Sequence, residues 1–287
     1  MKKVGLLGSG IGYSLSPVMH NAAFADLGLD WQYVLIDIPH ETLEVALADL
    51  RRDPWAGANV TIPFKQDVLP FLDELSPTAA LVGAVNTIIR HQDQLVGENT
   101  DAAGFFADLE NLGWSAKGTA LVFGAGGAAR AAALALLEHD FMVFMHARTP
   151  SRAEGFLSAL EPSLQQNLSL RPADPESVRK TSGQAVLVVN ATPLGGTGFP
   201  KLSPWPEAVR LPPKACFYDL TYNPSITPFM KLALAAGLPA SSGLGMLVFQ
   251  GALSFQLWNG QTPNINLMRA AALHKLEEYH ASFSDSR

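Results

Sequence analysis

The chain has 287 residues, 48% of them hydrophobic, and a formal net charge of −6. That length suggests one large or two medium domains, and the acidic balance gives no electrostatic reason to expect nucleic acid or anionic lipid as a partner. The single cysteine, Cys216, excludes an internal disulfide and a cysteine metal site, and no segment has the form of a signal peptide or a membrane span, so a cytoplasmic protein is expected.

Residues 3–8 read as a strand. A loop over 9–16 leads to a helix that Pro17 opens, with Ser16 as its cap. A second strand covers 31–38, a helix covers 40–52 with Leu43, Ala46, Leu47 and Leu50 on one face, and a third strand covers 56–61. This alternation argues for a parallel, right-handed βαβ layout. Residues 63–69 begin a short helix, Ser76-Pro77 caps another, and 84–90 with 94–98 look like a strand pair. A helix over 101–112 connects to a second domain, with strands at 119–123, 141–148, 186–190 and 215–220 and a helix at 227–236. Cys216 falls in the last of these strands and is expected to be buried. Residues 165–182 are polar and show no readable period. Beyond about residue 240 the pattern is wholly helical, over 245–258 and 265–283. That tail must bury its apolar faces across a cleft or against the first domain.

The stretch 119–130 reads TALVFGAGGAAR. Its apolar start suits a buried parallel strand, and its alanine-rich end opens a helix that runs to about His139. Between them, Gly124-Ala125-Gly126-Gly127-Ala128-Ala129 fits G-x-G-x-x-A. The first glycine permits a tight turn and the second clears room for a pyrophosphate. The last small residue lets helix and strand pack, and the helix N-terminus offers N–H groups to the anion. In NAD sites an acid stands near the end of the next strand, about 20 residues on. Here His146, Ala147, Arg148, Thr149, Ser151 and Arg152 stand there instead. Two guanidinium groups and two hydroxyls suit a 2′-phosphate, so NADP is the expected cofactor. Glu154 should lie inside the following helix.

Four further stretches hold polar residues in apolar settings. Ser14 and Ser16, beside a helix N-terminus, suit a carboxylate, and fit a simple capping motif equally well. Asn59, Thr61 and Lys65 follow a strand, where α/β sheets place ligands. Lys65 reads as the start of a helix, where the dipole disfavours a cation; it is either a functional amine or a solvated lysine. Asn86 sits in an apolar strand and Gln250 on an apolar helical face, and both need partners if buried. Asp101 stands where it could cap the connector helix. The seven histidines show no metal spacing, so no metal is expected, and His20 and His139 read as helix-surface residues.

Together these stretches resemble the shikimate dehydrogenase family over nearly the whole chain. The resemblance lies in Ser14-Leu15-Ser16-Pro17-x-x-His20-Asn21, Asn59-Val60-Thr61-x-Pro63-Phe64-Lys65, Gly83-Ala84-Val85-Asn86-Thr87, Asn99-Thr100-Asp101-x-x-Gly104, the glycine turn, Asn190-Ala191-Thr192-Pro193, Tyr218-Asp219-x-x-Tyr222-x-Pro224-x-x-Thr227-Pro228 and Met246-Leu247-x-x-Gln250-Gly251. It implies two α/β domains. A substrate domain with a mainly parallel sheet would cover 1–101, completed by 242–287. A Rossmann-type NADP domain would cover 102–241, with the C-terminal helices returning to the first domain. The implied reaction is the reversible, NADP-dependent reduction of 3-dehydroshikimate to shikimate in aromatic amino acid biosynthesis.

At matching positions the resemblance gives Lys65 and Asp101 as the catalytic pair. Ser14 and Ser16 would hold the carboxylate, and Asn59, Thr61, Asn86 and Gln250 the ring hydroxyls, with Tyr222 also on the substrate. The cofactor would fall to Gly124, Ala125, Gly126, Gly127, Ala128, Arg148, Thr149, Arg152, Asn190, Thr192, Leu220, Gly243 and Met246. Two departures stand out: Tyr13 where the family often has His, and Ala147 where it often has Asn. A quinate or dual quinate/shikimate dehydrogenase is the nearest alternative, and a non-catalytic metabolite sensor is another. A small-molecule substrate and a monomer or homodimer are expected.

Overall fold

The computed structural model describes residues 1–284. In chain order the strands and helices are β1 (Lys2–Gly8), α1 (Ser16–Asp26), β2 (Trp31–Asp37), α2 (Leu43–Leu50), β3 (Trp55–Val60), β4 (Glu74–Leu75), α3 (Pro77–Val82), β5 (Thr87–His91) and β6 (Gln94–Glu98). They continue with α4 (Asp101–Asn111), β7 (Thr119–Phe123), α5 (Gly127–Glu138), β8 (Met142–Ala147), α6 (Glu154–Ala159), α7 (Pro162–Gln165), β9 (Leu168–Pro172) and α8 (Pro175–Ser182). The last are β10 (Ala185–Asn190), β11 (Cys216–Asp219), α9 (Pro228–Ala235), β12 (Ala240–Ser242), α10 (Leu244–Asn259) and α11 (Ile265–Ser284).

The chain divides into two compact units, Met1–Thr100 with the chain from Leu247 onward, and Asp101–Met246. Asp101 and residues 242–246 therefore belong to the second unit, not the first as expected from sequence. The reason is local: β12 pairs with β11, and the Gly243 N–H donates to Thr221 O at 3.2 Å.

The first unit carries a six-stranded sheet in the order β2-β1-β3-β5-β6-β4. β1 runs parallel to β2 and β3, whereas β5 is antiparallel to both β3 and β6. One face packs Leu7, Ala58, Val60, Ile88 and Leu95 against Leu43, Leu47 and Leu50 of α2. Beside α1, Phe24 of that helix stacks on Phe255 of α10, and α1 also lies along α11. The helical tail thus returns to the first unit, as its apolar faces require.

The second unit is a wholly parallel sheet ordered β12-β11-β10-β7-β8-β9. Strand order reverses between β7 and β10, the crevice where doubly wound sheets take their ligands. Leu121, Phe123, Val188 and Phe217 form its core with Trp205 and Phe229.

Several local expectations are corrected. Leu15, not Ser16, precedes α1 as its N-cap, and the Ser16 N–H donates to Ser14 Oγ at 3.2 Å. Residues 62–68 are consecutive turns, not a helix, so the dipole argument for Lys65 does not apply. The polar 165–182 segment holds β9 and α8, and a short strand, β12, precedes the C-terminal helices. Cys216 is a strand residue but only half-buried.

Candidate functional site

In the first unit the polar residues gather where strands end. The Thr61 N–H donates to Leu7 O at 2.9 Å, which sets the end of β3 beside the end of β1 and its Ser14–Ser16 loop. The reversal at β5 brings Asn86 and Thr87 to the same edge: Thr87 is in register with Asn59 on one side and Glu98 on the other. Val60 N donates to Asn86 O at 2.8 Å, and Val85 N donates to Lys65 O at 2.7 Å. Lys65, half-buried, is therefore anchored through its own backbone next to Asn86.

The Ser14 hydroxyl donates to Ser16 Oγ at 3.3 Å. Its loop is pinned from β2, because the Asp37 carboxylate accepts the N–H groups of Gly10 (2.7 Å) and Ile11 (3.1 Å). The hydroxyl pair thus stands at the start of α1 on a braced loop.

Behind these groups lies a buried hydrogen-bonded network. Thr100 N donates to Asn86 Oδ1 at 2.7 Å, which orients the amide so that Asn86 Nδ2 donates to Thr100 Oγ1 (2.9 Å) and Gln250 Oε1 (3.1 Å). Gln250 Nε2 in turn donates to Leu247 O at 2.8 Å. Asn59, 4% exposed, is turned inward: its Nδ2 donates to Asn86 O, Thr87 Oγ1 and Ser254 Oγ at 2.9–3.1 Å, and its Oδ1 accepts from Tyr33 Oη at 2.9 Å. The Asn59 amide is thus held by protein partners on both of its sides. Tyr33, Thr87, Thr100 and Ser254 carry this network without having drawn a role from sequence. Asn59 in an apolar strand was the available signal, because a buried amide demands partners.

His20 is also corrected. It is fully buried, not on the helix surface, and stacks on Tyr33 with ring centroids 4.3 Å apart. Burial pushes its pKa down to about 3, so the ring is neutral.

In the second unit, Gly124, Asn190, Leu220 and Gly243 follow or end β7, β10, β11 and β12, and Arg148 follows β8. All stand at the carboxyl edge of one parallel sheet. Gly124 holds φ +127°, and a Cβ there would lie 2.9 Å from Ala191 O. Gly126 is the N-cap of α5 with no side-chain cap, and a Cβ on it would meet nothing within 4 Å. That space beside the uncapped helix start fits a pyrophosphate. Ala125, Gly127 and Ala128 complete the turn, with no acid in the first turn of the helix.

Arg148, Thr149 and Arg152 are exposed after β8. Arg130, which sequence reading passed over, is buried on α5; desolvation and then the charge of Arg152 lower its pKa. This concentration of positive charge suits a phosphate.

Asn190 is fully buried and organises its turn: Oδ1 accepts from Thr192 N (2.9 Å) and Thr192 Oγ1 (2.7 Å), and Nδ2 donates to Asp219 Oδ1 (3.0 Å). Met246 N donates to Tyr218 Oη at 3.3 Å, and that hydroxyl donates to Asp108 Oδ2 at 2.7 Å. Tyr222, half-buried, follows β11. Asp101 opens α4 and is 4% exposed. Among the described residues no cluster of His, Cys, Asp or Glu could hold a metal ion.

A doubly wound parallel sheet with an uncapped glycine turn, and a second α/β unit whose strand ends carry hydroxyls, amides and a lysine, define a nucleotide-dependent enzyme acting on a small polar substrate. The model of the shikimate dehydrogenase substrate binding domain matches residues 6–88, and that of the shikimate 5′-dehydrogenase C-terminal domain matches 243–273. A shikimate dehydrogenase (NADP(+)) of Symbiobacterium thermophilum is 41% identical over 278 residues, covering 96% of this chain and 94% of the relative. The chain belongs to the shikimate dehydrogenase family. The crystal structure of shikimate 5-dehydrogenase from Thermus thermophilus, in complex with NADP(H) and shikimate, superposes with a TM-score of 0.85 at 40% identity, covering 96% of this chain and all of that one. A quinate dehydrogenase from Corynebacterium glutamicum in complex with NAD gives a TM-score of 0.85 at 29% identity, covering 95% and 99%.

Proposed function

We propose that this protein is an NADP-dependent shikimate dehydrogenase, interconverting shikimate and 3-dehydroshikimate. The observation that carries the reading is the convergence at one sheet edge of a serine pair on a helix start, an oriented amide network and an anchored lysine. That set matches a molecule with one carboxylate and several ring hydroxyls. Ser14 and Ser16 bind the carboxylate. Asn59, Thr61, Asn86 and Gln250 bind ring hydroxyls, and Tyr222 contributes to the substrate contacts.

NADP⁺, when bound, accepts the hydride from the C3 carbon. Gly124 to Ala128 receive its pyrophosphate, and Arg148, Thr149 and Arg152 its 2′-phosphate. Met246, Leu220, Gly243 and the Asn190–Thr192 turn border the nicotinamide, with Tyr218 and Asp108 holding the Met246 backbone. Lys65 takes the C3 hydroxyl proton in oxidation and returns it in reduction, and Asp101 orients the amine and bonds the same hydroxyl. The oxidised carbon loses a hydride and its oxygen a proton, so the C–O bond becomes a carbonyl.

Initial rates of NADP⁺ reduction with shikimate, beside quinate and each repeated with NAD⁺, test the reading. Turnover confined to shikimate with NADP⁺ is expected. Quinate turnover at a comparable rate would reassign the substrate, and binding without turnover would make the protein a metabolite sensor.

A further inference from the structure

The amide of Asn59 is the junction of the buried network, and an amide has two orientations. On one side stands Asn86 O, 3.1 Å away, which only accepts. Thr87 Oγ1 at 3.0 Å and Ser254 Oγ at 2.9 Å lie on the same side. Ser254 Oγ donates to Gln250 O at 3.0 Å, so toward Asn59 it presents a lone pair. Both features require the NH₂ group on that side. The opposite side holds Oδ1, to which Tyr33 Oη donates at 2.9 Å.

Tyr33 is itself held in place. It is 2% exposed on β2, its ring stacks on that of His20, and Asn21 takes both its backbone groups: Tyr33 N donates to Asn21 Oδ1 at 2.8 Å, and Asn21 Nδ2 donates to Tyr33 O at 3.0 Å. The ring therefore has little freedom to withdraw its hydroxyl. Beyond Asn59 the order continues: the same Thr87 and Ser254 hydroxyls reach Thr100 Oγ1 at 3.3 and 3.2 Å, and Thr100 N fixes Asn86, which fixes Gln250.

We propose that Tyr33 is a positioning residue of the substrate site, its donated hydroxyl holding Asn59, and through it the buried network by which Asn86 and Gln250 face the substrate's ring hydroxyls. The inference rests on the shikimate dehydrogenase reading. Tyr33→Phe keeps the ring and its stacking and removes only the donor. Asn59 Oδ1 is then left buried without that donor, the amide is held from one side only, and substrate must re-order the network on binding.

The experiment measures KM and kcat for shikimate and for NADP⁺ in the full-length wild type, Tyr33→Phe and Ser254→Ala. The last variant perturbs Asn59 from its other side and serves where Tyr33→Phe does not fold. The expected result is a rise of about tenfold in the shikimate KM, with the NADP⁺ KM unchanged and kcat within about threefold, for either variant. A merely structural role would lower the melting temperature and leave both KM values alone or move them together, which overturns the inference. An unchanged shikimate KM in both variants also overturns it. Absence of wild-type turnover would instead remove the function on which it rests.

Discussion

At the scale of single residues, two glycines with different surroundings make opposite predictions. A Cβ on Gly126 would enter open space, whereas one on Gly243 would lie 2.2 Å from Leu220 O. Gly126→Ala is expected to keep the wild-type melting temperature and to raise the NADP⁺ KM about tenfold, because the methyl occupies room needed by the pyrophosphate. Gly243→Ala is expected to lower the melting temperature, since a backbone carbonyl cannot rotate away as a flexible side chain can. Thermal unfolding and steady-state kinetics separate the two. For Lys65→Ala, kcat should fall by about 10²–10⁴ with little change in shikimate KM, as for a group that moves a proton only in the transition state. Near wild-type turnover would sink the role of Lys65. The glycine turn was readable from sequence because backbone constraint leaves a residue-type signature. The burial of His20 was not, because burial depends on which helix covers a residue, and α10, whose Phe255 stacks on it, lies far along the chain.

At the scale of elements, the end of β8 is expected to decide cofactor choice. Arg148→Ala and Arg152→Ala should each raise the NADP⁺ KM about tenfold or more while leaving the NAD⁺ KM nearly unchanged, since NAD⁺ lacks the 2′-phosphate. Equal effects on both cofactors would assign these arginines elsewhere. The long strands and helices were legible because their apolar runs and 3.6-residue periods are continuous. The elements that escaped were short or marginal. β9 is an edge strand in which only Leu168 is buried, and β12 has three residues, none of them buried. Neither carries enough apolar contrast to show a period. Residues 62–68 were misread for a different reason: Phe64 and Val68 are buried at helical spacing, but the chain there only turns.

At the scale of the whole molecule, buried histidines set the response to acid. The His20 pKa is pushed down to about 3 by burial, and that of His146 is lowered chiefly by burial. His20 is neutral in the folded protein and His146 takes up its proton less readily there than in the unfolded chain, where histidine protonates below a pKa of about 6.5. Their contribution is therefore present above pH 6.5 and is lost as pH falls, at up to ~1.4 kcal/mol per pH unit for each histidine until it protonates in the folded state. Asp219 acts with the opposite sign: burial raises its pKa, so its stabilising share is present in acid and is lost as pH rises through its folded pKa. Denaturant unfolding between pH 7 and pH 4.5 should show a steady loss of stability. His20→Phe should flatten that slope, and an unchanged slope would exclude His20 as its source.

The return of α10 and α11 to the first unit has a consequence for the order in which the protein is made. Strands β1 to β6 leave the ribosome without α10, while the Asp101–Met246 unit is complete before Leu247 is added. At ~5–20 residues per second, the early strands wait on the order of ten seconds for the helix that carries Gln250 and Ser254. During that interval the nascent chain displays Phe24 and His20 without the covering ring of Phe255. Vectorial synthesis thus completes the Asp101–Met246 unit first and leaves the buried hydrogen-bonded network of the other unit to be closed after it.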